Sequence, residues 1–191
     1  MKELIIILLG AMLIDNVILS RFMGICPFLG VSGNTKSAQG ISLSVATAIV
    51  LTIVITYPIR KFLSIHNLEY MQTIMFILII AAVVQLLEMI IKRYNKTLYD
   101  MLGVYLALIT TNCAVLGTVI RCTMENHDFV QSIVYGIGVS GGFALSIFIM
   151  SGIRGRINEN EVPVPFRGTP IVLITAGLMA IAFSGFAGIG G

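Results

Sequence analysis

Charge is what this chain has least of. Only 11% of its 191 residues are Asp, Glu, Lys or Arg, against 57% hydrophobic, and its mean hydropathy is +0.99. A soluble domain of this size needs more charged surface than that, so the solvent is lipid. Polar linkers and low-complexity tracts are missing too, the longest polar stretch being about 154–170. Three cysteines make no disulfide framework of a small secreted domain and point to a reduced compartment or the bilayer interior. No Ser-His-Asp pattern, P-loop, HExxH run or ferredoxin-type run of close cysteines occurs, which excludes soluble-enzyme chemistry. Nor is there a basic stripe with interleaved aromatics, so nucleic acid is not an expected partner.

What the chain has is apolar runs. A helix needs roughly 20 apolar residues to cross a hydrocarbon core, and about six such runs occur, near 4–23, 41–57, 71–91, 98–120, 129–150 and 171–189. The first reads as a retained helix rather than a signal peptide, because Asp15 and Arg21 interrupt it and no Ala-x-Ala site follows. Basic residues set the orientation. Lys36, Lys92, Arg93, Lys96, Arg154, Arg156 and Arg167, with Arg21, fall on one side; Lys2, Arg60, Lys61 and Arg121 fall on the other. Eight against four places both termini on the outer side of the membrane. The net charge of +3 then describes loops facing an anionic leaflet.

One signature occurs twice. Cys26-Pro27-Phe28-Leu29-Gly30 returns as Cys113-Ala114-Val115-Leu116-Gly117, so each half carries one Cys-x-x-Leu-Gly. Aligning the two lays the first three spans on the last three. Weaker echoes follow: Pro58-Ile59-Arg60 matches Gly152-Ile153-Arg154, and Thr73 and Thr169 open the third and sixth spans. An odd number of spans per half forces the halves into opposite orientations, which is the inverted-repeat architecture with its sites at interrupted helices. The expected fold is therefore an all-α integral membrane protein of six transmembrane helices, two inverted three-helix repeats (about 1–95 and 96–191) in one domain, with the first and fourth helices broken. Gly24, Pro27, Gly30 and Gly33 crowd the first break, where Pro27 cannot donate a helical hydrogen bond. Thr110, Thr111 and Asn112 before Cys113 supply polar groups for a second.

Cys26 and Cys113 are the leading site candidates. Two readings stand for them: small buried hydrophobes, or soft ligands for iron–sulfur, zinc or copper, placed at equivalent points of a repeat and beside helix ends whose N–H groups suit negative sulfur. A four-thiolate iron–sulfur cluster needs four cysteines, so a second chain would have to complete it. Cys122, next to Arg121, reads as a spare thiol near the interface. Gly136, Gly138 and Gly141 spell G-x-G-x-x-G, but inside an apolar span, where with Gly142 they read as helix packing rather than dinucleotide binding. Asp15, Arg21, Gln85 and Glu88 lie in or near spans, where an ionisable group calls for a function or a partner. Asp15 and Glu88 form a candidate cation or proton path; for Glu88 the other reading is a helical pair with Lys92, four residues on. His66 and His127 read as solvated loop residues.

The segments Gly24-Ile25-Cys26-Pro27-Phe28-Leu29-Gly30-Val31-Ser32 and Ile109-Thr110-Thr111-Asn112-Cys113-Ala114-Val115-Leu116-Gly117 closely resemble the RnfA/NqrE family, membrane subunits of the bacterial Rnf electron-transport complex and of the sodium-pumping NADH:quinone reductase. The resemblance extends to Val83-Val84-Gln85, Glu88, Pro165-Phe166-Arg167-Gly168 and Leu173-Ile174-Thr175-Ala176-Gly177-Leu178-Met179, and so spans essentially the whole chain. It implies an integral subunit of the bacterial cytoplasmic membrane, paired with an oppositely oriented homologue, RnfE. The pair would share one [2Fe–2S] cluster, with Cys26 and Cys113 supplying two of its ligands, and this chain would bind neither flavin nor NAD. The complex it implies moves electrons between ferredoxin and NAD, coupled to sodium or proton movement, with this chain carrying them across the membrane. Family members often have Asn where Asp15 stands, and Cys122 lies outside the shared pattern. The alternative expectation is an inverted-repeat cation transporter without a redox centre, using Asp15 and Glu88.

Overall fold

In lipid every backbone polar group must find its partner within the protein, and the computed structural model answers with helices: no strand forms among the described residues, which are 2–33, 35–65, 71–94, 112–157 and 162–187. In chain order these are α1 (Lys2–Leu9), a π-helical turn (Gly10–Ile14), α2 (Ile25–Val31), α3 (Thr35–Ile65), α4 (Gln72–Tyr94), α5 (Cys113–Met124), α6 (Phe129–Arg154), a 3₁₀ turn (Val164–Phe166) and α7 (Thr169–Ala187). Among them α3, α4 and α6 are long and apolar enough to cross a membrane, while α5 and α7 are shorter apolar helices. The fourth apolar run lies outside the described residues up to residue 111, and so do Thr110, Thr111, Lys96 and His66.

The first apolar run, expected to be helical near 4–23, leaves helix at Ile14. Its last turn widens, Asp15 donating its N–H to Gly10 O at 2.7 Å. The physical reason for the exit is Asn16, whose Oδ1 accepts the backbone N–H of Ile18 (3.1 Å) and Leu19 (3.3 Å) and so offers the chain an alternative to continuing the helix. The following residues fold back in turns, with Met23 N–H on Val17 O at 2.9 Å, before α2 begins. α3, by contrast, continues through Pro58, although proline cannot donate there.

α3 and α6 run antiparallel at the centre. Tyr57 meets Phe129 edge-on at 5.1 Å between ring centroids, and Ile49 and Ile53 lie against Gly136. The first helical segment, α1 with its π-helical turn, runs parallel to α6 in a regular register: Leu8 sits at Gly138, Met12 at Gly142, and Asn16 at Ser146. A Cβ on Gly138 would stand 2.8 Å from the Leu8 carbonyl oxygen, and one on Gly142 2.8 Å from that of Met12. Lipid tails leave no hydrophobic force between helices, so close approach over small residues is what holds such a pair. The nominal dinucleotide fingerprint thus contains a packing seam. Phe143, Ile147, Met150, Ile41, Val45 and Ile49 are fully buried around it, while Ile74, Leu78, Leu86 and Met89 of α4 face outward.

Candidate functional site

Both motif cysteines stand where a short helix starts. Cys26 is in the first turn of α2 and Cys113 is the first residue of α5. Both are exposed, whereas Cys122 is buried. The two helix starts touch: Gly24, which immediately precedes α2, donates its backbone N–H to Cys113 Sγ at 2.9 Å. That contact needs glycine twice over. Gly24 has φ +86°, a left-handed conformation that side chains disfavour, and a Cβ there would meet Phe143 at 3.0 Å and Ala114 at 3.2 Å.

Asn112 fixes the start of α5. Its Oδ1 accepts the Ala114 N–H at 3.0 Å, an ordinary N-cap. Its Nδ2 is buried with no protein acceptor among the described residues. Of the polar residues expected to serve the second break, Asn112 is the one within the described residues, and it caps. Gly117, the motif's last residue, leaves the space that the Met23 thioether occupies, so the first break and α5 are packed together there as well.

Asn16, on which no sequence expectation rests, anchors the first break. It is fully buried, donates Nδ2 to the carbonyls of Gly142 (3.0 Å) and Met12 (3.2 Å), and also accepts from Ser146 Oγ at 3.2 Å. The signal that could have found it is an amide inside an apolar run, since a buried polar group must be fully hydrogen-bonded there.

Asp15 points the other way, into an ion-pair chain. Its carboxylate takes Arg21 Nε at 2.7 Å and Nη2 at 3.0 Å, and Arg121 Nη2 at 3.1 Å. Arg121 also pairs with Glu125, whose Oε2 lies 2.9 Å from His127 Nε2. Arg21, grouped by sequence with the Arg154 side, therefore sits beside Arg121 of the opposite group. It is no marker of side, and without it the basic count runs seven against four in the same direction. His127 likewise departs from the solvated-loop expectation: it is half-buried, 5.6 Å from the Tyr135 ring. Glu88 is half-buried on α4, one turn before Lys92, and lines none of the clefts that Asp15 lines among the described residues.

Two further arginines close the other ends of the cysteine-bearing helices. Arg154, at the end of α6, donates Nη1 to Leu29 O (3.1 Å) and to Ser32 Oγ (2.9 Å) at the C-terminus of α2. Arg60, near the end of α3, donates to Cys122 O in the last turn of α5 (2.8 Å) and to His127 O just beyond it (3.0 Å). These are the positions that the Pro58-Ile59-Arg60 and Gly152-Ile153-Arg154 echo brings into register.

The donor set fits a thiolate-held cluster in part. Two exposed sulfurs at helix starts, one already accepting an N–H, suit a group of iron and sulfide, and no set of three or more His, Cys, Asp or Glu groups gathers for a metal among the described residues. Two cysteines would be half of a four-thiolate set.

The family model described as "Rnf-Nqr subunit, membrane protein" matches residues 4–190. The A component of the ion-translocating oxidoreductase complex of Syntrophotalea carbinolica is 47% identical over 190 residues, covering 99% of this chain and 98% of its own. The protein of the same description in Aliivibrio fischeri is 46% identical over the same shares. That of Shewanella amazonensis is 44% identical, covering 99% of both chains.

Proposed function

Since the chain belongs to the Rnf-Nqr family of membrane subunits, we propose that it works as the A component of an ion-translocating oxidoreductase complex and that Cys26 and Cys113 hold one side of a [2Fe–2S] cluster whose other two ligands come from RnfE, its homologous, oppositely oriented partner. The observation that supports the cluster reading is the Gly24 N–H on Cys113 Sγ: it brings the two motif cysteines' helix starts into contact, with both thiols exposed. Such a cluster supplies one-electron transfer when bound. The chain's part is to present two thiolates, to stabilise negative charge on one of them through Gly24, and to keep α5 in place through the Asn112 cap.

The six-span inverted repeat belongs to the same proposal. Its support is that α3 and α6, which the repeat makes equivalent, run antiparallel, as oppositely oriented halves require. Placement in the bacterial cytoplasmic membrane with both termini outside rests on the seven-to-four distribution of basic residues. The remaining partners are the other components of the complex.

Electron paramagnetic resonance on the dithionite-reduced complex, with iron and sulfide analysis, tests the reading. Cys113→Ser should remove one [2Fe–2S] signal from an otherwise assembled complex. An unchanged spectrum would return both cysteines to packing.

A further inference from the structure

We propose that Arg154 and Arg60 are positioning residues for the two cysteines, each acting on the half of the chain it does not belong to: Arg154 through α2 on Cys26, and Arg60 through α5 on Cys113. The inference deepens the cluster reading and rests on it for its electronic part.

The last carbonyls of a helix have no partner within it, and a seven-residue helix such as α2 has almost no independent stability, being far below the ~12–15 residues at which isolated helices become even marginal. Its position is set by what grips it. At its start the grip is the Gly24 to Cys113 contact; at its end it is Arg154, half-buried, which satisfies Leu29 O and Ser32 Oγ together. Ser32 is fully buried, so the guanidinium is held from within the protein. Cys26 lies about one helical turn from Leu29, and its sulfur therefore moves with that anchor.

The second clasp repeats the first with the halves exchanged. Arg60 reaches Cys122 O and His127 O, and its guanidinium lies 5.3 Å from the Tyr57 ring centroid, which steadies it. Cys113 lies about two and a half turns from Cys122. Each cysteine helix is thus gripped by an arginine from the long helix of the other half. The two clasps differ in lever length, so Arg154 commands the closer sulfur. Its positive charge is also the nearer one to any negative charge that arrives at the cysteines on reduction.

The test compares thiol alkylation at Cys26 and Cys113 in the purified full chain carrying Cys122→Ser, with and without Arg154→Gln or Arg60→Gln. The expected result is that the ratio of the Cys26 rate to the Cys113 rate rises several-fold in Arg154→Gln and falls in Arg60→Gln. A ratio that stays fixed, or moves the same way in both, overturns the proposal, because general loosening would do that. Should either Gln variant not fold, Arg154→Lys and Arg60→Lys keep the charge on a shorter side chain without the planar guanidinium, and are expected to move the ratio in the same directions by less. In the assembled complex, Arg154→Gln should shift the cluster's midpoint potential to a more negative value, and Arg154→Lys should restore it; equal midpoints in native and Arg154→Gln overturn the electronic part. A native complex with no cluster signal would defeat the cluster reading alone, since the alkylation ratio is read on a chain without a cluster.

Discussion

Gly24 and Cys113, separated by 89 positions in sequence, share a hydrogen bond of 2.9 Å from backbone N–H to sulfur. The bond spans the two copies of the repeated motif, and its geometry depends on a left-handed residue wedged against Phe143 and Ala114. Gly24→Ala keeps the N–H but has to adopt φ +86° with a Cβ in a filled space. We expect it to cost about 1–2 kcal/mol for the conformation and somewhat more for the contact, read as a lowered unfolding temperature in detergent. An unaltered melting curve would mean that the break near Gly24 can reshape freely.

Asn16 predicts a larger effect. Its side chain serves two carbonyls, two backbone N–H groups and the Ser146 hydroxyl, all buried or partly so. Asn16→Leu would leave the Ile18 and Leu19 N–H groups without the Oδ1 acceptor, while the Ser146 hydroxyl and the Gly142 carbonyl keep each other, and each buried group left without a partner costs about 1–3 kcal/mol. Loss of folded protein from the membrane is the expected outcome. Asn16→Asp should be no better, because a carboxylate cannot donate to the Met12 and Gly142 carbonyls.

The glycines separate packing from tolerance. Gly142→Val would drive a side chain into the Met12 carbonyl and push the first helical segment off α6. Gly177 lies within α7 with nothing within 4 Å of its would-be Cβ, so Gly177→Ala should be neutral or stabilise the isolated chain by up to about 1 kcal/mol. Thermal melts of the two variants side by side would show it, and equal losses would contradict the seam.

Cys122 should behave unlike its two neighbours in name. It is buried in α5, while Cys26 and Cys113 are exposed. Its thiol gives no ligand in the proposed cluster, so Cys122→Ser is expected to leave the paramagnetic signal intact. In the isolated chain, alkylation should label Cys26 and Cys113 and spare Cys122; rapid labelling of all three would show that α5 does not pack as described.

What the sequence made legible was whatever repeats or persists along the chain. The apolar runs gave α3, α4, α6 and α7 to within a few residues except at the two ends of α3, and the doubled Cys-x-x-Leu-Gly marked two helix starts. Pro58 hid the last part of α3, because local propensity argues for a stop that tertiary packing overrode. The Asn16 network, the paired arginine clasps and the Asp15 ion pairs were not legible, since each joins residues remote in sequence or across a fold-back that periodicity does not report. Arg60 and Arg154 were visible as an echo, but an echo says only that two positions correspond. Which carbonyls they close required knowing that α3 and α6 run antiparallel beside two short helices.

Asp15 gives the last expectation, and it discriminates between a tie and a pathway. Its carboxylate is engaged by Arg21 and Arg121 together, and its side chain remains about one-quarter exposed, at 25%. Exposed or partly exposed pairs contribute roughly 0–1 kcal/mol each, and Arg121 would keep Glu125 if Asp15 were neutralised. Asp15→Asn should therefore cost at most about 1–2 kcal/mol of stability. If two guanidiniums already neutralise the carboxylate, it has little attraction left for a free cation, so ions moved per electron by the reconstituted complex should stay unchanged. Electron transfer that continues while ion movement stops would place Asp15 on the ion's route and show that the arginines release it during turnover.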